Sequence, residues 1–225
     1  MELIKEYIYL IRNQNVFSSN TYILKNKINN KSIIIDPGFD FEAIDKLITD
    51  NRLVPVAIIS THGHFDHIAG VSFFKNKFNI PFYLHEADLK LSQSANFYLK
   101  VAKINYKIET PLPDFLFKSQ FENLFIEGFD FRIYNLPGHS MGSCILKNEN
   151  YLFSGDIIYK KGLGPESIPR EDKLALKKSI LNIFDTFDDN DLILPGHGFS
   201  EYLGIIKNNN LELQNFIANT ANANA

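Results

Sequence analysis

Residues 60–67 read "STHGHFDH", and half of the chain's six histidines stand in this stretch. His62, His64, Asp66 and His67 follow "VPVAIIS" (54–60), a short apolar run of the kind that forms a buried strand. Four ligand-type side chains at the end of a buried strand constrain the fold strongly. They are costly to bury unless they converge on a shared charge, and loops at strand ends are where such groups gather. In an extended segment alternate side chains point the same way, so His62 and His64 can meet one ion. Asp66 and His67 are adjacent and diverge, which suits a second ion nearby. Imidazole and carboxylate without thiolate favour zinc, with iron or manganese as alternatives.

Four donors do not fill two sites, and the remaining candidates lie downstream. His139 in "LPGHS" and His197 in "LPGHG" each follow a strand-like run and a Pro-Gly turn. Asp156 in "FSGD" also follows a strand-like run, and its two carboxylate oxygens can bridge two cations. The expected set is His62, His64 and His139 on one ion, Asp66, His67 and His197 on the other, and Asp156 between them. A structural zinc site is closed, four-coordinate and usually cysteine-rich. Seven His and Asp donors leave room for a bridging hydroxide, which is the arrangement of a catalytic site.

The rest of the chain reads as a frame for that site. Strands are expected at 4–12, 20–25, 31–36, 54–60 and 81–85, then at 121–126, 129–136, 143–147, 151–153 and 191–195. Helices are expected at 41–51, 68–78 and 171–184, with mixed helical character over 86–105 and a last turn or two over 200–217. The double-proline stretch 109–115 should be irregular. One domain is expected over 1–217, with a frayed tail at 218–225. A net charge of −3 gives no broad basic field for nucleic acid. No run approaches the ~20 apolar residues of a membrane span. The N-terminus does not read as a signal peptide, and a single cysteine, Cys144, cannot form an internal disulfide. The cytoplasm is the expected location and a small molecule the expected partner. Cys144 reads as a small buried residue, and His85 as a surface or helix-end histidine.

The pattern "THGHFDH", "PGHS", "SGD", "PGHG", in that order, resembles the metallo-β-lactamase superfamily, and the likeness extends from "NTYIL" and "IIIDPG" to "LGIIKNNN". The resemblance implies an α/β fold, an αββα sandwich of two mixed β-sheets with outer helices and the metals at one edge. It also places Asp36 of "IIIDPG" near the ligands as support. A metal-bridging hydroxide would then hydrolyse a small thioester or ester, with Asp66 and Asp156 serving that chemistry.

Within the family, an aspartate at Asp156 and the compact chain look like glyoxalase II, the hydroxyacylglutathione hydrolase, and its shorter relatives. The commonest β-lactamases carry cysteine at that place. Glyoxalase II holds glutathione through a basic and an aromatic residue in the loop after the bridging aspartate, and through a long C-terminal helical domain that this sequence does not show. Here Pro165 and Ser167 stand at the basic and aromatic positions, which leaves Lys160, Lys161 and Arg170 as candidate anion contacts. The alternatives are a persulfide dioxygenase-like enzyme with one iron on His62, His139 and Asp156, a lactonase-type hydrolase, or a catalytically silent metal-binding protein.

Overall fold

The computed structural model describes residues 2–13, 18–163 and 171–219. The first apolar run, expected as one strand, is a hairpin. Strand β1 (Glu2–Lys5) turns at Glu6–Tyr7 and pairs antiparallel with β2 (Ile8–Arg12). β3 (Asn20–Lys25) and β4 (Lys31–Ile35) continue the antiparallel sheet. Helix α1 (Phe41–Asp50) crosses over to β5 (Val54–Ile59), which lies parallel to β4. The short helix α2 (Phe65–Ile68) and α3 (Val71–Phe78) then lead to β6 (Phe82–His85). Two more short helices follow, α4 (Leu89–Gln93) and α5 (Ala95–Val101). β7 (Phe115–Phe117) closes this seven-stranded sheet in the order β1 to β7.

The second sheet has six strands. They are β8 (Phe121–Ile126), β9 (Phe129–Asn135), β10 (Cys144–Asn148), β11 (Tyr151–Gly155), β12 (Leu192–Pro195) and β13 (Glu201–Tyr202), ordered β13-β12-β11-β10-β9-β8. Only β11 and β12 pair in parallel, and α6 (Lys173–Thr186) makes that crossover. Its N-cap is Asp172, whose side chain accepts from the amides of Leu174 and Ala175, which is why the helix begins there. The 200–217 stretch holds β13 and two helices, α7 (Leu203–Asn209) and α8 (Leu211–Asn219). Ala218 and Asn219, expected in a frayed tail, end α8; residues 220–225 lie outside the described residues.

The two sheets pack face to face with helices on both outer faces, the expected αββα sandwich. β4 shows why its sequence is apolar throughout. Ile33 and Ile35 face the other sheet, while Ile34 faces α1 and α3. The inter-sheet core joins Tyr22, Leu24, Ala57 and Ile59 to Phe131, Leu146, Phe153 and Leu194. Tyr22 and Phe153 meet edge to face, with centroids 5.3 Å apart. The outer face of the second sheet (Ile145, Leu152, Ile193) packs on Ile180 and Ile183 of α6 and Leu203 and Ile206 of α7. Among the described residues no helix is long and apolar enough to cross a membrane.

Phe153 lies at the centre of the sandwich and is 1% exposed. Phe153→Ala should cost about 3–5 kcal/mol, the range for emptying an aromatic from a packed core. Chemical denaturation with an unchanged m-value checks this; a loss under about 1 kcal/mol would place the core elsewhere.

Candidate metal centre

The strand ends of one edge bring the seven predicted side chains together. His62 and His64 follow β5, His139 lies between β9 and β10, Asp156 follows β11 directly, and His197 follows β12. His64 is extended (φ −69°, ψ 147°) and is the N-cap of α2, so Asp66 and His67 sit on a helical turn rather than continuing the extended segment. That turn lets two consecutive side chains reach one centre.

Three groups of donor atoms result, with the atoms of each within 4.8 Å of one another: the two predicted triads, His62, His64 and His139 and then Asp66, His67 and His197, and a third of Asp36, His62 and His67 that links them. In the first, His64 Nδ1 is 2.9 Å from His139 Nε2. In the second, His197 Nε2 is 3.2 Å from Asp66 Oδ2 and 3.4 Å from His67 Nε2. Asp156 reaches both. Its Oδ2 is 3.9 Å from His62 Nε2, 3.5 Å from His139 Nε2 and 3.4 Å from His197 Nε2, and its Oδ1 is 3.6 Å from His67 Nε2. A Cβ at Gly196 would come within 2.1 Å of Asp156 Oδ1 and 2.6 Å of His67 Cε1, so the His197 loop must carry glycine there.

Electrostatically the two triads differ. Burial, then the charges of His67 and His64, hold His62 well below the usual imidazole range. Burial likewise lowers His64, and lowers His139 to about 3. His67 and His197 are also buried, but the carboxylates of Asp66 and Asp156 outweigh that penalty. His67 is raised well above the ordinary value and His197 to about 10. Burial opposes ionisation of Asp156, yet His197 and His67 pull it well below the usual carboxylate range. At neutral pH the first triad is uncharged and the second carries protons.

The donor set fits divalent cations. His62 Nε2 and Asp156 Oδ1 are buried and have no hydrogen-bond partner within the protein, and both are atoms aimed at the centre. Buried polar atoms left so are rare unless a ligand completes them. Asp36 supports the second triad. Its Oδ2 lies 3.1 Å from His67 Nδ1 and accepts from Thr61 Oγ1, while Oδ1 accepts from the Thr61 amide. Such a contact fixes the ring and leaves Nε2 for an ion.

The other candidates fall as follows. His85 belongs to neither triad, and it is not a surface residue. It is 6% exposed and caps a 3-10 turn (Glu86–Asp88), its Nδ1 accepting from the Ala87 amide. Cys144 is buried as expected, and its thiol donates to Gly142 O. Lys160 pairs with Glu201 at 2.9 Å, and Lys161 is exposed. Pro165, Ser167 and Arg170 lie outside the described residues.

Three residues escape sequence reasoning. Asp88 accepts from Gly63, Ser140 and Gly142. Asn20 Nδ2 donates to Pro195 O and Gly198 O, holding the His197 loop. Tyr159 is buried beside Asp156; burial first, then that carboxylate, raises its phenol well above the usual range. Asn20 opens the "NTYIL" of the resemblance, but no residue type or spacing there announces its partners, and the tertiary contact alone reveals all three roles.

Comparison with known proteins identifies the family. A family model for the metallo-beta-lactamase superfamily matches residues 15–197, a span that ends on His197. Hydroxyacylglutathione hydrolase GloC of Haemophilus influenzae is 31% identical over 79% of this chain and 84% of its own. The crystal structure of BLEG-1 B3 metallo-beta-lactamase superposes with a TM-score of 0.83 at 30% identity, covering 92% of this chain and 99% of that one. TTHA1623 in a di-iron-bound form gives 0.78 at 28% identity, covering 90% and 98%. With two mixed sheets, helices outside, and His and Asp triads gathered on one edge, the chain belongs to the metallo-β-lactamase superfamily.

Proposed function

We propose that the protein is a binuclear metal-dependent hydrolase of a small thioester or ester, similar to hydroxyacylglutathione hydrolase. The observation that carries this reading is Asp156, whose two oxygens face both triads at 3.4–3.9 Å. His62, His64 and His139 would hold one ion, Asp66, His67 and His197 the other, and Asp156 both. Two such ions supply hydroxide at neutral pH and polarise an acyl carbonyl. The chain's own part is to orient the imidazoles, to keep Asp156 ionised and to exclude bulk water. GloC supports the thioester class. Zinc suits the donors, and the di-iron form of TTHA1623 supports iron as the alternative. The likeness to BLEG-1 favours a second reading, β-lactam hydrolysis, which the same assays test with a cephalosporin.

Asp156→Ala should lower metal occupancy at both sites and abolish turnover, because one carboxylate serves both ions. Elemental analysis of protein purified without chelators should give two metals per wild-type chain. One iron at full activity, with oxygen uptake, would favour the dioxygenase alternative instead.

Metal uptake should also release protons unequally. His67 and His197 hold protons at pH 7, and coordination through Nε2 displaces them, so filling that triad should release about two protons. His62, His64 and His139 are already neutral and should release about none. Protons compete with the metal, so affinity at the second triad should fall as pH drops below about 10, the value of His197. A pH indicator in weakly buffered titrations reads this; equal release from both ions would contradict the assignment.

Pro165 stands where the family's basic residue would bind glutathione, and proline offers neither side-chain donor nor N–H. A missing charged contact costs about 1.5–3 kcal/mol, or about 10- to 150-fold. Lactoylglutathione should therefore show a high KM relative to simpler thioesters and lactones, and Pro165→Arg should lower it. Tight, fast turnover by the wild type would show that Lys160, Lys161 or Arg170 replaces the contact.

A further inference from the structure

Asp88 ends the 3-10 turn that follows β6 and is 1% exposed. Its carboxylate is shared between two loops from different sheets. Oδ2 accepts from the Gly63 amide at 2.8 Å and from Ser140 Oγ at 2.6 Å, and Oδ1 accepts from the Gly142 amide at 2.8 Å. Gly63 lies between His62 and His64, and Ser140 follows His139. Ser140 is itself held, its amide donating to Ser143 Oγ at 3.0 Å. The approach is close enough to dictate sequence. A Cβ at Gly63 would lie 2.9 Å from Asp88 O, and one at Gly142 would lie 2.6 Å from Asp88 Cγ. Among the described residues no lysine or arginine forms an ion pair with Asp88, so its partners are the donors of these two loops.

We propose that Asp88 is the positioning residue of the His62, His64 and His139 triad, clamping the loop after β5 to the loop after β9 and so setting that triad's metal affinity. The second triad has its own brace in Asp36, which holds His67 and Thr61. Asp36 also reaches His62 through Thr61 Oγ1, which lies 3.1 Å from His62 Nδ1, whereas Asp88 contacts only the two loops that carry His62, His64 and His139, so loss of Asp88 acts chiefly on that triad. The chemistry requires a carboxylate. Three donors converge on it, and an amide in its place would turn an NH2 group toward one of them. Loss of an outer contact of this kind weakens metal affinity by about 10- to 100-fold. The clamp rests on the ligand reading above for which ion it affects.

The test is zinc titration of Asp88→Asn against a chromophoric chelator, with crystallographic zinc occupancy at limiting metal to tell the triads apart. Circular dichroism of the metal-free protein controls for folding. The expected result is a loss of about 10- to 100-fold at His62, His64 and His139, with the site of Asp66, His67 and His197 within about two-fold of wild type. A general loss of structure would weaken both. If Asp88→Asn does not fold, Ser140→Ala removes one of the three donors and should give a smaller loss at the same triad. Unchanged affinity, or equal loss at both triads, would overturn the proposal. A wild-type protein that takes up only one ion would overturn the binuclear reading. Asp88 would then be judged on that ion alone: about a ten-fold loss supports the clamp, and no loss overturns it.

Discussion

A carboxylate held between two sets of imidazoles, out of water, is the constraint on which the rest of this structure depends. Asp156 is 5% exposed and lies within 3.9 Å of ring nitrogens from four histidines. A buried carboxylate is expensive unless cationic groups surround it. His67 and His197 meet that need, since the carboxylates of Asp66 and Asp156 raise both imidazoles above the usual range. The neutral first triad cannot, and its His62 Nε2 is buried without a hydrogen-bond partner within the protein.

The sandwich makes such a centre affordable by dividing labour between its faces. Both sheets spend their inner faces and much of their outer faces on apolar packing, which leaves the strand ends for the polar groups of the centre. At one edge the sheets are stitched by backbone bonds that cross between them. The Cys144 amide donates to Thr61 O, and the Asn20 amide donates to Gly196 O. Asn20 and Tyr22 add side-chain bonds to Pro195 O, so the His197 loop is tied to the first sheet as well as to its own strand. Donor distances near 3 Å therefore arise between residues more than a hundred positions apart, from rigid elements rather than from loops alone.

What the sequence displays is the chemistry that residue types carry by themselves. Histidine and aspartate in "THGHFDH", with later histidines after Pro-Gly turns, announce metal donors without reference to a partner. The β-branched runs of β3, β4 and β5 announce strands for the same reason. Elements that exist only through pairing are hidden. β7 is three residues after a double-proline stretch and β13 is two, both too short to show a period. The β1–β2 turn at Glu6–Tyr7 has no glycine or proline to mark it. His85 reads as a surface or helix-end histidine; it does cap a 3-10 turn, but its burial comes from a strand paired on both sides, β5 and β7, which the sequence does not display. Asp88, Asn20 and Tyr159 are common residues whose roles come entirely from what folds against them.

The C-terminal helices hold the segment that leaves Asp156. Asn210 joins α7 to α8 and is 3% exposed. Its Oδ1 accepts from the Leu213 amide, which starts α8, and its Nδ2 donates to Tyr159 O at 3.1 Å and Gly162 O at 3.0 Å. One amide side chain thus caps a helix and pins the segment that leaves Asp156. Lys160, within that segment, is drawn to Glu201 at the start of β13. Tyr159 is thereby kept against the carboxylate while the chain beyond Gly162 starts from a fixed anchor.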